Sequence, residues 1–196
     1  MSDRVVIKIG GSLLAEPGAI KHIADWLAVT ARPGQTRILI AGGGEAVEAI
    51  RRIDAASPVS PAAAHWAAIA VMDANALLLA DLLGAPNLEV QSQLPTTAGD
   101  WILQCGDLLR KIERHAAGER LSIGWQTTSD AIAARIAVLF DARLVLLKHS
   151  LGKAYESLRE AAAAGVIDAE TPRIAASLAS VRFLGVIQPG LDGVPF

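Results

Sequence analysis

The stretch VVIKIGGS at residues 5–12 decides the fold class. A short apolar run that ends in glycine and leads into a helical pattern is typical of a buried strand in a parallel sheet. The same order recurs in RILIAGGG at residues 37–44, which precedes a predicted helix, and RLVLLK at residues 143–148 has the same apolar character. Strands that alternate with helices predict an α/β fold, a three-layer αβα sandwich around a mostly parallel sheet.

The remaining pattern predicts one domain over residues 1–196, with no internal repeat and no linker. Turn residues, N-caps and hydrophobic periodicity set the expected boundaries. Strands are predicted at 5–9, 37–41, 90–94, 121–124, 143–148 and 181–187. Helices are predicted at 17–31, 45–55, 61–83, 107–117, 128–141, 154–164 and, more loosely, 168–180.

Composition excludes several classes of protein. The 196 residues are 52% hydrophobic and 19% charged, with a net charge of −2 and no basic patch of the kind that binds nucleic acid. A single cysteine, Cys105, excludes an internal disulfide and fits a reducing cytosol. The most apolar stretch, residues 62–83, carries His65, Asp73, Asn75 and Asp81, which is too polar for a lipid-facing helix. We therefore expect a cytoplasmic protein with no signal peptide and no membrane partner.

The glycines that follow the first two strands predict anion binding. Glycine lets the backbone approach a phosphate closely, and the helix that follows offers free N–H groups. Lys8 near the first strand end can reach a phosphate beside Gly10, Gly11 and Ser12; the alternative is a lysine that reaches water beside an ordinary turn. After the second strand stand Gly42, Gly43 and Gly44, more glycines than a plain tight turn needs.

A third junction, residues 127–131, reads TTSDA. One residue suffices for an N-cap, and taken alone the cap is the simpler interpretation, although Asp130 could also orient cations at a phosphate site. The chain contains no Walker motif and no dinucleotide fingerprint, because neither glycine cluster has the required spacing.

Taken in order, the pieces at residues 6–12, 40–44 and 128–147 resemble the amino acid kinase superfamily, which includes acetylglutamate, aspartate, carbamate, uridylate and isopentenyl phosphate kinases. The resemblance implies ATP and Mg²⁺ as cofactors and an acceptor that is already anionic, so that no general base is needed. It also implies residue roles. Lys8 would stabilise the transferring phosphoryl group, Asp130 would position cationic residues, Gly10, Gly11 and Ser12 would hold the nucleotide phosphates, and Gly42, Gly43 and Gly44 would lie at the acceptor.

The loop KHSLGK at residues 148–153 departs from the family, which usually has an acidic loop there. Either Lys148 or Lys153 could supply the second catalytic lysine, and a solvated loop is the alternative. Of the two, Lys148 is assigned to catalysis and Lys153 to the nucleotide site. The chain is also short, which implies a shortened C-terminal nucleotide lobe.

A narrower resemblance lies at residues 165–173 and 181–185. These look like the short branch of the family linked to methanofuran-type cofactor synthesis, whose acceptor is an aminomethylfuran-methyl phosphate, and so imply a place in one-carbon metabolism. The alternative is a non-catalytic nucleotide-binding, ligand-binding or storage module, or a regulatory subunit, on the same fold. Lys8 and Asp130 favour catalysis.

Other residues receive weaker predictions. The four histidines lack metal-ligand spacing to one another or to Cys105, so no protein-bound metal is expected. Packing is the simpler interpretation for all four tryptophans, although Trp101 and Trp125 stand near predicted loops. The apolar helix at 61–83 predicts a homodimer or larger homo-oligomer, as in similar kinases, but burial within one chain explains the pattern equally well.

Overall fold

The computed structural model describes residues 3–89 and 97–186, which form a six-stranded sheet with helices on both faces. Every adjacent pair of strands is parallel. The strands are β1 (Arg4–Ile9), β2 (Thr36–Ala41), β3 (Asn87–Glu89), β4 (Gly99–Gln104), β5 (Arg143–Lys148) and β6 (Val181–Gly185), in the spatial order β3-β4-β2-β1-β5-β6. The predicted α/β class with a parallel sheet is confirmed.

Seven α-helices join these strands. They are α1 (Ala19–Thr30), α2 (Gly44–Ala56), α3 (Pro61–Leu83), α4 (Cys105–Lys111), α5 (Ser129–Leu139), α6 (Leu158–Ala163) and α7 (Thr171–Ile174). Short 3₁₀ turns lie at Gly11–Leu14, Glu113–His115 and Ala175–Ser177. The 23 residues of α3 begin as the sequence predicts, since Ser60 caps the helix, Pro61 follows it, and Gly84 ends it in the left-handed region at φ 61°.

Two hydrophobic clusters cover the two faces of the sheet. Val6, Ile40 and Leu146 belong to the face on which α5 packs, whereas Ile7, Leu39 and Leu147 belong to the face on which α1 packs. This alternation is the two-residue period of a strand. It places Lys8, which follows Val6 by two residues, and Lys148, which follows Leu146 by two, on the α5 face.

The strand order brings three loops together. β1 lies between β2 and β5, with Ile9 opposite both Ala41 and Leu147. The chain runs to one side of β1 through β2 and to the other through β5, which makes the carboxyl ends of these strands the switch point where parallel sheets bind ligands.

Some predicted elements differ from the structure. Residues 121–124 form a loop rather than a strand, because Gly124 has φ 149° and its backbone contacts the His65 ring instead of a neighbouring strand. The predicted strand at 90–94 lies outside the described residues, and β3 and β4 were missed. The helix predicted at 168–180 is confined to α7 and one 3₁₀ turn, and the helices predicted at 107–117 and 154–164 are shorter, ending at Lys111 and starting at Leu158 respectively.

The helix α3 leaves an apolar strip at the surface. Leu77, Leu78 and Leu82 are each about half exposed, at 51%, 58% and 52%. By length and composition alone, α3 is the one helix among the described residues that is apolar enough to cross a membrane. Core helices of soluble proteins meet the same criterion. Its opposite side packs within the fold through Ile69, Met72 and other buried residues (Ala64, His65, Ala76, Leu79 and Ala80).

Candidate active site

Three charged side chains form a nearly dry cluster at the switch point. Lys8 Nζ lies 2.9 Å from one carboxylate oxygen of Asp130, and Lys148 Nζ donates a 2.6 Å hydrogen bond to the other. The side chains are only 7%, 6% and 15% exposed for Lys8, Asp130 and Lys148 respectively. The structure therefore brings together the three residues that the sequence assigned to catalysis.

The cluster has two cationic side chains but only one carboxylate, so one positive charge is left without a partner inside the cluster. Burial alone would raise the pKa of Asp130, but the charges of Lys8 and Lys148 outweigh it and hold that pKa below its ordinary value. Burial, together with repulsion from Lys8, lowers the pKa of Lys148 to about 8. Two cations that share one carboxylate at a cleft are arranged to accept further negative charge from a ligand.

Asp130 acts from the first turn of α5 but does not cap that helix. The cap is Thr128, whose hydroxyl accepts from the backbone N–H of Asp130 at 3.3 Å. The Asp130 carboxylate is therefore free of the capping role that the sequence left open, and it faces the two lysines instead.

The two glycine loops touch backbone to backbone. Gly42 N–H donates to Ile9 O at 2.8 Å, and Gly10 N–H donates to Leu147 O at 3.1 Å. A Cβ placed on Gly11 would lie 2.2 Å from the nitrogen of Gly44, a separation that no side chain tolerates. Glycine at position 11 is thus required for packing of the two loops, in addition to any contact with a ligand.

Asn75 holds the second glycine loop from α3. Its side-chain N–H₂ donates to Gly42 O at 2.7 Å and to Gly43 O at 3.1 Å. Sequence reasoning missed this role, although an amide inside a strongly apolar helix was a usable signal, since buried polar groups need partners.

A cleft of about 420 Å³ opens between these elements. Ser12 and Ser129 lie in its wall with Thr128. Of the predicted site residues, seven line the cleft, namely Lys8, Gly10, Gly11, Ser12, Gly43, Gly44 and Lys148. Gly42 and Asp130 do not line the cleft. Gly42 supports it by its hydrogen bonds to Ile9 and Asn75, and Asp130 by its ion pairs with Lys8 and Lys148.

Lys153 lies apart from the cleft lining. Its amine pairs with Glu160 Oε1 at 2.6 Å, and its side chain is 59% exposed. Hydrogen bonding to Glu160 raises the pKa of Lys153 above its ordinary value. The structure thus places Lys153 in a surface ion pair, and its assignment as a nucleotide contact stays a prediction without support from geometry.

The helix α2 contributes a third cation to the cleft wall, Arg51, which sequence reasoning missed. The Arg51 guanidinium carbon lies 4.2 Å from the centre of the Trp125 ring. The ring is fixed in turn, because Trp125 Nε1 donates to Asp54 Oδ2 at 2.6 Å. Arg51 Nε also lies 3.2 Å from Glu48 Oε1. Stacking on an aromatic face pre-orients a guanidinium, which can bind carboxylate or phosphate through the N–H groups that Glu48 does not occupy. Trp125 is therefore part of the cleft wall, beside His65 and Met72.

Acidic residues that follow α6 hold the segment from Ser122 to Thr128. Asp168 accepts from the Thr128 hydroxyl at 2.5 Å and from Ala131 N–H at 3.2 Å. Glu170 accepts from the Thr127 hydroxyl at 2.8 Å and from the Ser122 hydroxyl. The C-terminal third of the chain thus orders one wall of the cleft, which sequence spacing alone did not reveal.

The donor set of the cleft suits an anion. Its lysine, arginine and backbone N–H groups can donate to an anion. The lining also holds Glu45, Glu48, His65 and His149, but no group of three or more His, Cys, Asp or Glu side chains able to hold a metal occurs within residues 3–89 and 97–186. The thiol of Cys105 is buried at 1% exposure, and burial raises its pKa well above the ordinary value, which keeps it protonated.

The chain matches one known protein family over most of its length. The model of the amino acid kinase family matches residues 3–152, more than half of the chain. The chain belongs to the amino acid kinase family. The match spans every element of the cleft except the segment that carries Asp168 and Glu170, and it confirms the resemblance found in the sequence.

Solved structures of amino acid kinase folds superimpose over nearly the whole chain. Aspartate kinase from Synechocystis matches with a TM-score of 0.67 and 14% identity over 97% of this chain, which spans only 39% of that kinase. UMP kinase from Bacillus anthracis matches with a TM-score of 0.66 and 12% identity over 98% of this chain and 95% of its own. Uridylate kinase from Archaeoglobus fulgidus matches with a TM-score of 0.60 and 19% identity over 92% and 90%.

At these identities the structural likeness establishes the fold, and the family model carries the assignment of class. A comparison with curated proteins finds no match. As a member of the amino acid kinase family, the chain is a phosphotransferase that acts on small molecules, so the expectation of a kinase is confirmed at that level.

Proposed function

We propose that the chain transfers the γ-phosphoryl group of MgATP to a small acceptor that is already anionic. The observation that carries this proposal is the Lys8–Asp130–Lys148 cluster, which lies beside two loops locked together by their backbones. Phosphoryl transfer needs little covalent chemistry from a protein, and most of the catalysis is positioning and charge stabilisation.

The residues divide the work along the cleft. Gly10, Gly11 and Ser12, where β1 ends, present backbone and hydroxyl groups to the donor phosphates. Lys8 and Lys148 face the transferring group, where negative charge spreads in the transition state. Asp130 holds both amines in place without becoming a base, because its two oxygens are engaged by cations.

Mg²⁺ fits this site only as part of the nucleotide. The cleft contains Glu45 and Glu48, but the buried carboxylate of Asp130 is already occupied by two lysines. Mg²⁺ is commonly bound through substrate phosphates and a few carboxylates rather than by a full protein cage. The ion would be carried by the nucleotide and would offset the charge of its phosphates.

Arg51 supports an anionic acceptor. It lines the far end of the cleft and stacks on Trp125. The apolar side chains around it, among them Val47, Ile69 and Met72, suit a small body with one charged end. An acceptor of this kind includes the aminomethylfuran-methyl phosphate of methanofuran-type synthesis, which combines a phosphate, a flat ring and an amine. For that amine, Glu45 supplies a carboxylate, since Glu48 is paired with Arg51.

Two measurements test the proposal. Calorimetry with MgATP, MgADP and MgGTP should show binding, and no heat and no thermal shift at millimolar nucleotide would contradict it. Coupled turnover assays should then compare aminomethylfuran-methyl phosphate, UMP, aspartate and acetylglutamate. Turnover with the furan phosphate alone supports the narrower acceptor, whereas turnover with UMP or an amino acid contradicts it and leaves the kinase proposal intact.

Matched arginine variants test the acceptor site. Arg51 lines the cleft, whereas the next residue, Arg52, is exposed and lies outside the lining. Arg51→Gln should raise the KM for the acceptor about tenfold or more, because a charge-assisted contact is lost, and leave the KM for ATP unchanged. Arg52→Gln should change neither. Equal effects of the two variants would remove Arg51 from the acceptor site.

A further inference from the structure

A second cavity lies behind the wall of the cleft that His65 forms. It measures about 460 Å³ and is bounded by the start of α3, by α4 and by the segment that follows α4. His65 is the one residue that lines both spaces. The buried His65 ring also contacts the backbone of Gly124 at 3.4 Å, so that one ring and one loop separate the cavity from the cleft.

Three arginines line this cavity without an ion pair to a carboxylate among the described residues. They are Arg110, Arg114 and Arg120, and none lies within ion-pair distance of an acidic side chain in residues 3–89 and 97–186. Arg110 also lines a neighbouring cavity with Asp73 and Asp107, and its charge lowers the pKa of Asp73. The acid in the lining, Glu113, accepts from the buried Arg135 at 3.2 Å. The positive charge without a carboxylate partner in the described part of the fold is therefore that of Arg114 and Arg120.

Two of the three arginine side chains are partly pre-oriented. The Arg110 guanidinium lies 3.8 Å from the centre of the Trp66 ring, and Arg114 donates to the ring of His115 at 2.9 Å. The backbone of Arg120 is fixed, because its carbonyl accepts from Arg173 at 3.0 Å. Held cations of this kind lose less entropy when they bind an anion than free surface side chains do.

The floor of the cavity is apolar. Leu109 and Leu121 line it, and Ile123 lies beside them with 54% of its surface exposed. An exposed isoleucine within a ring of arginines favours a ligand with both an apolar body and an anionic end. The cavity volume also falls in the range of small-molecule sites.

We propose that this cavity, which we call the arginine cavity, binds a small organic anion, a phosphate monoester or carboxylate with an apolar body, separately from the kinase cleft. The head group contacts Arg114 and Arg120, and the apolar body lies on Leu121 and Ile123. The site shares only His65 with the cleft, so its ligand does not depend on the identity of the phosphoryl acceptor.

Calorimetry with 1-naphthyl phosphate as the probe tests this site without using kinase activity. The double variant Arg114→Gln/Arg120→Gln should raise the Kd about tenfold or more, since two charge-assisted contacts are lost. Arg159→Gln is the matched control, because Arg159 is also an exposed arginine but lies on α6, outside the cavity. It should leave the Kd within about twofold, as expected for a remote surface charge.

Two further binding measurements show where on the protein the probe binds. Arg51→Gln, in the cleft, should not change the Kd, and inorganic phosphate should bind more weakly than naphthyl phosphate because it lacks the apolar body. The proposal is overturned if the wild-type protein does not bind the probe at millimolar concentration, or if inorganic phosphate binds as well as the probe does. It is also overturned if Arg51→Gln rather than the double variant abolishes binding, or if Arg159→Gln weakens binding as much as the double variant. None of these outcomes bears on whether the chain binds MgATP.

Discussion

Lys148 and Lys153 stand five residues apart, yet their surroundings differ almost completely. Lys148 is 15% exposed and shares Asp130 with Lys8, whereas Lys153 is 59% exposed and pairs with Glu160 at the surface. Lys148 is the last residue of β5, so the strand period places it on the face of Lys8, while Lys153 follows the strand and is not held by the sheet. The sheet, rather than closeness in sequence, decides which cation can act at the cleft.

The largest effect in this comparison should come from the shared carboxylate. Asp130→Ala should lower the free energy of unfolding by about 3–5 kcal/mol, since it leaves two buried amines without a partner. Turnover should be lost as well. Chemical denaturation measures the first effect, with Asp107→Ala as the control, because Asp107 pairs with Lys111 at the surface with both side chains more than half exposed. If the two variants lose equal stability, the cluster is not a buried ion pair.

The next largest effect should be on the rate. Lys8→Met should lower kcat about 10²–10³-fold, as expected when one charge that stabilises a transition state is lost, with little change in Kd for MgATP. The protein should stay folded, because Asp130 keeps its 2.6 Å hydrogen bond to Lys148. Single-turnover assays and calorimetry separate the two readouts. If Lys8→Met weakened MgATP binding but kept the wild-type kcat at saturating MgATP, Lys8 would stabilise the bound ground state rather than the transition state.

Lys148 should give the cluster a pH dependence of opposite sign for activity and stability. Its pKa in the folded chain is about 8, below the ordinary 10.5. The value of kcat/KM, which reports the free enzyme, should therefore fall as pH rises through about 8, when the amine loses its charge. From pH 8 to 10.5 the unfolded chain holds a proton that the folded chain has released, so this group's contribution to stability should rise with pH.

Lys148→Met provides the check on that dependence. The variant should lose both the basic limb of the kcat/KM profile and the matching rise in the free energy of unfolding between pH 8 and 10.5. A basic limb that persists unchanged in the variant would assign it to another group.

The smallest effect should be that of Lys153→Met, which should keep the wild-type kcat and Kd for MgATP to within about twofold, because exposed ion pairs contribute little. Steady-state kinetics of Lys153→Met and Lys148→Met, measured under the same conditions, complete the comparison. A loss of nucleotide affinity in Lys153→Met would place this lysine in the nucleotide site after all and would require the loop to move toward the cleft.

The sequence was sufficient to predict the cluster, but it left the rest of the cleft unassigned. Lys8 and Lys148 lie at or next to the last residue of a buried strand, and Asp130 lies in the first turn of a helix, so local patterns fix their positions. Arg51 and Trp125 meet across more than seventy positions of sequence, and no periodic pattern records that contact. Asp168 was part of a recognised stretch, but its contact with Thr128 depends on tertiary packing.

The misplaced strands have a similar cause. Residues 121–124, LSIG, have the composition of a strand, but side chains of His65 and Glu170 take up the backbone groups that a sheet would have paired. In β4 the stretch GDWILQ begins with two residues that are poor in strands, yet it pairs in register with β2. Strand propensity is easily overridden by such neighbours.

The contact between Gly11 and Gly44 has a consequence for how this enzyme can change over evolution. The backbones of the loops at residues 10–12 and 42–44 touch, with 2.2 Å between the nitrogen of Gly44 and any Cβ at position 11, so the spacing of these loops does not depend on a side chain at position 11. If the two loops bind donor and acceptor as proposed, substitutions on α2 or in the segment from Ser122 to Thr128 can reshape the acceptor pocket while the transfer geometry stays the same. New substrates then become accessible through changes that leave the chemical step untouched.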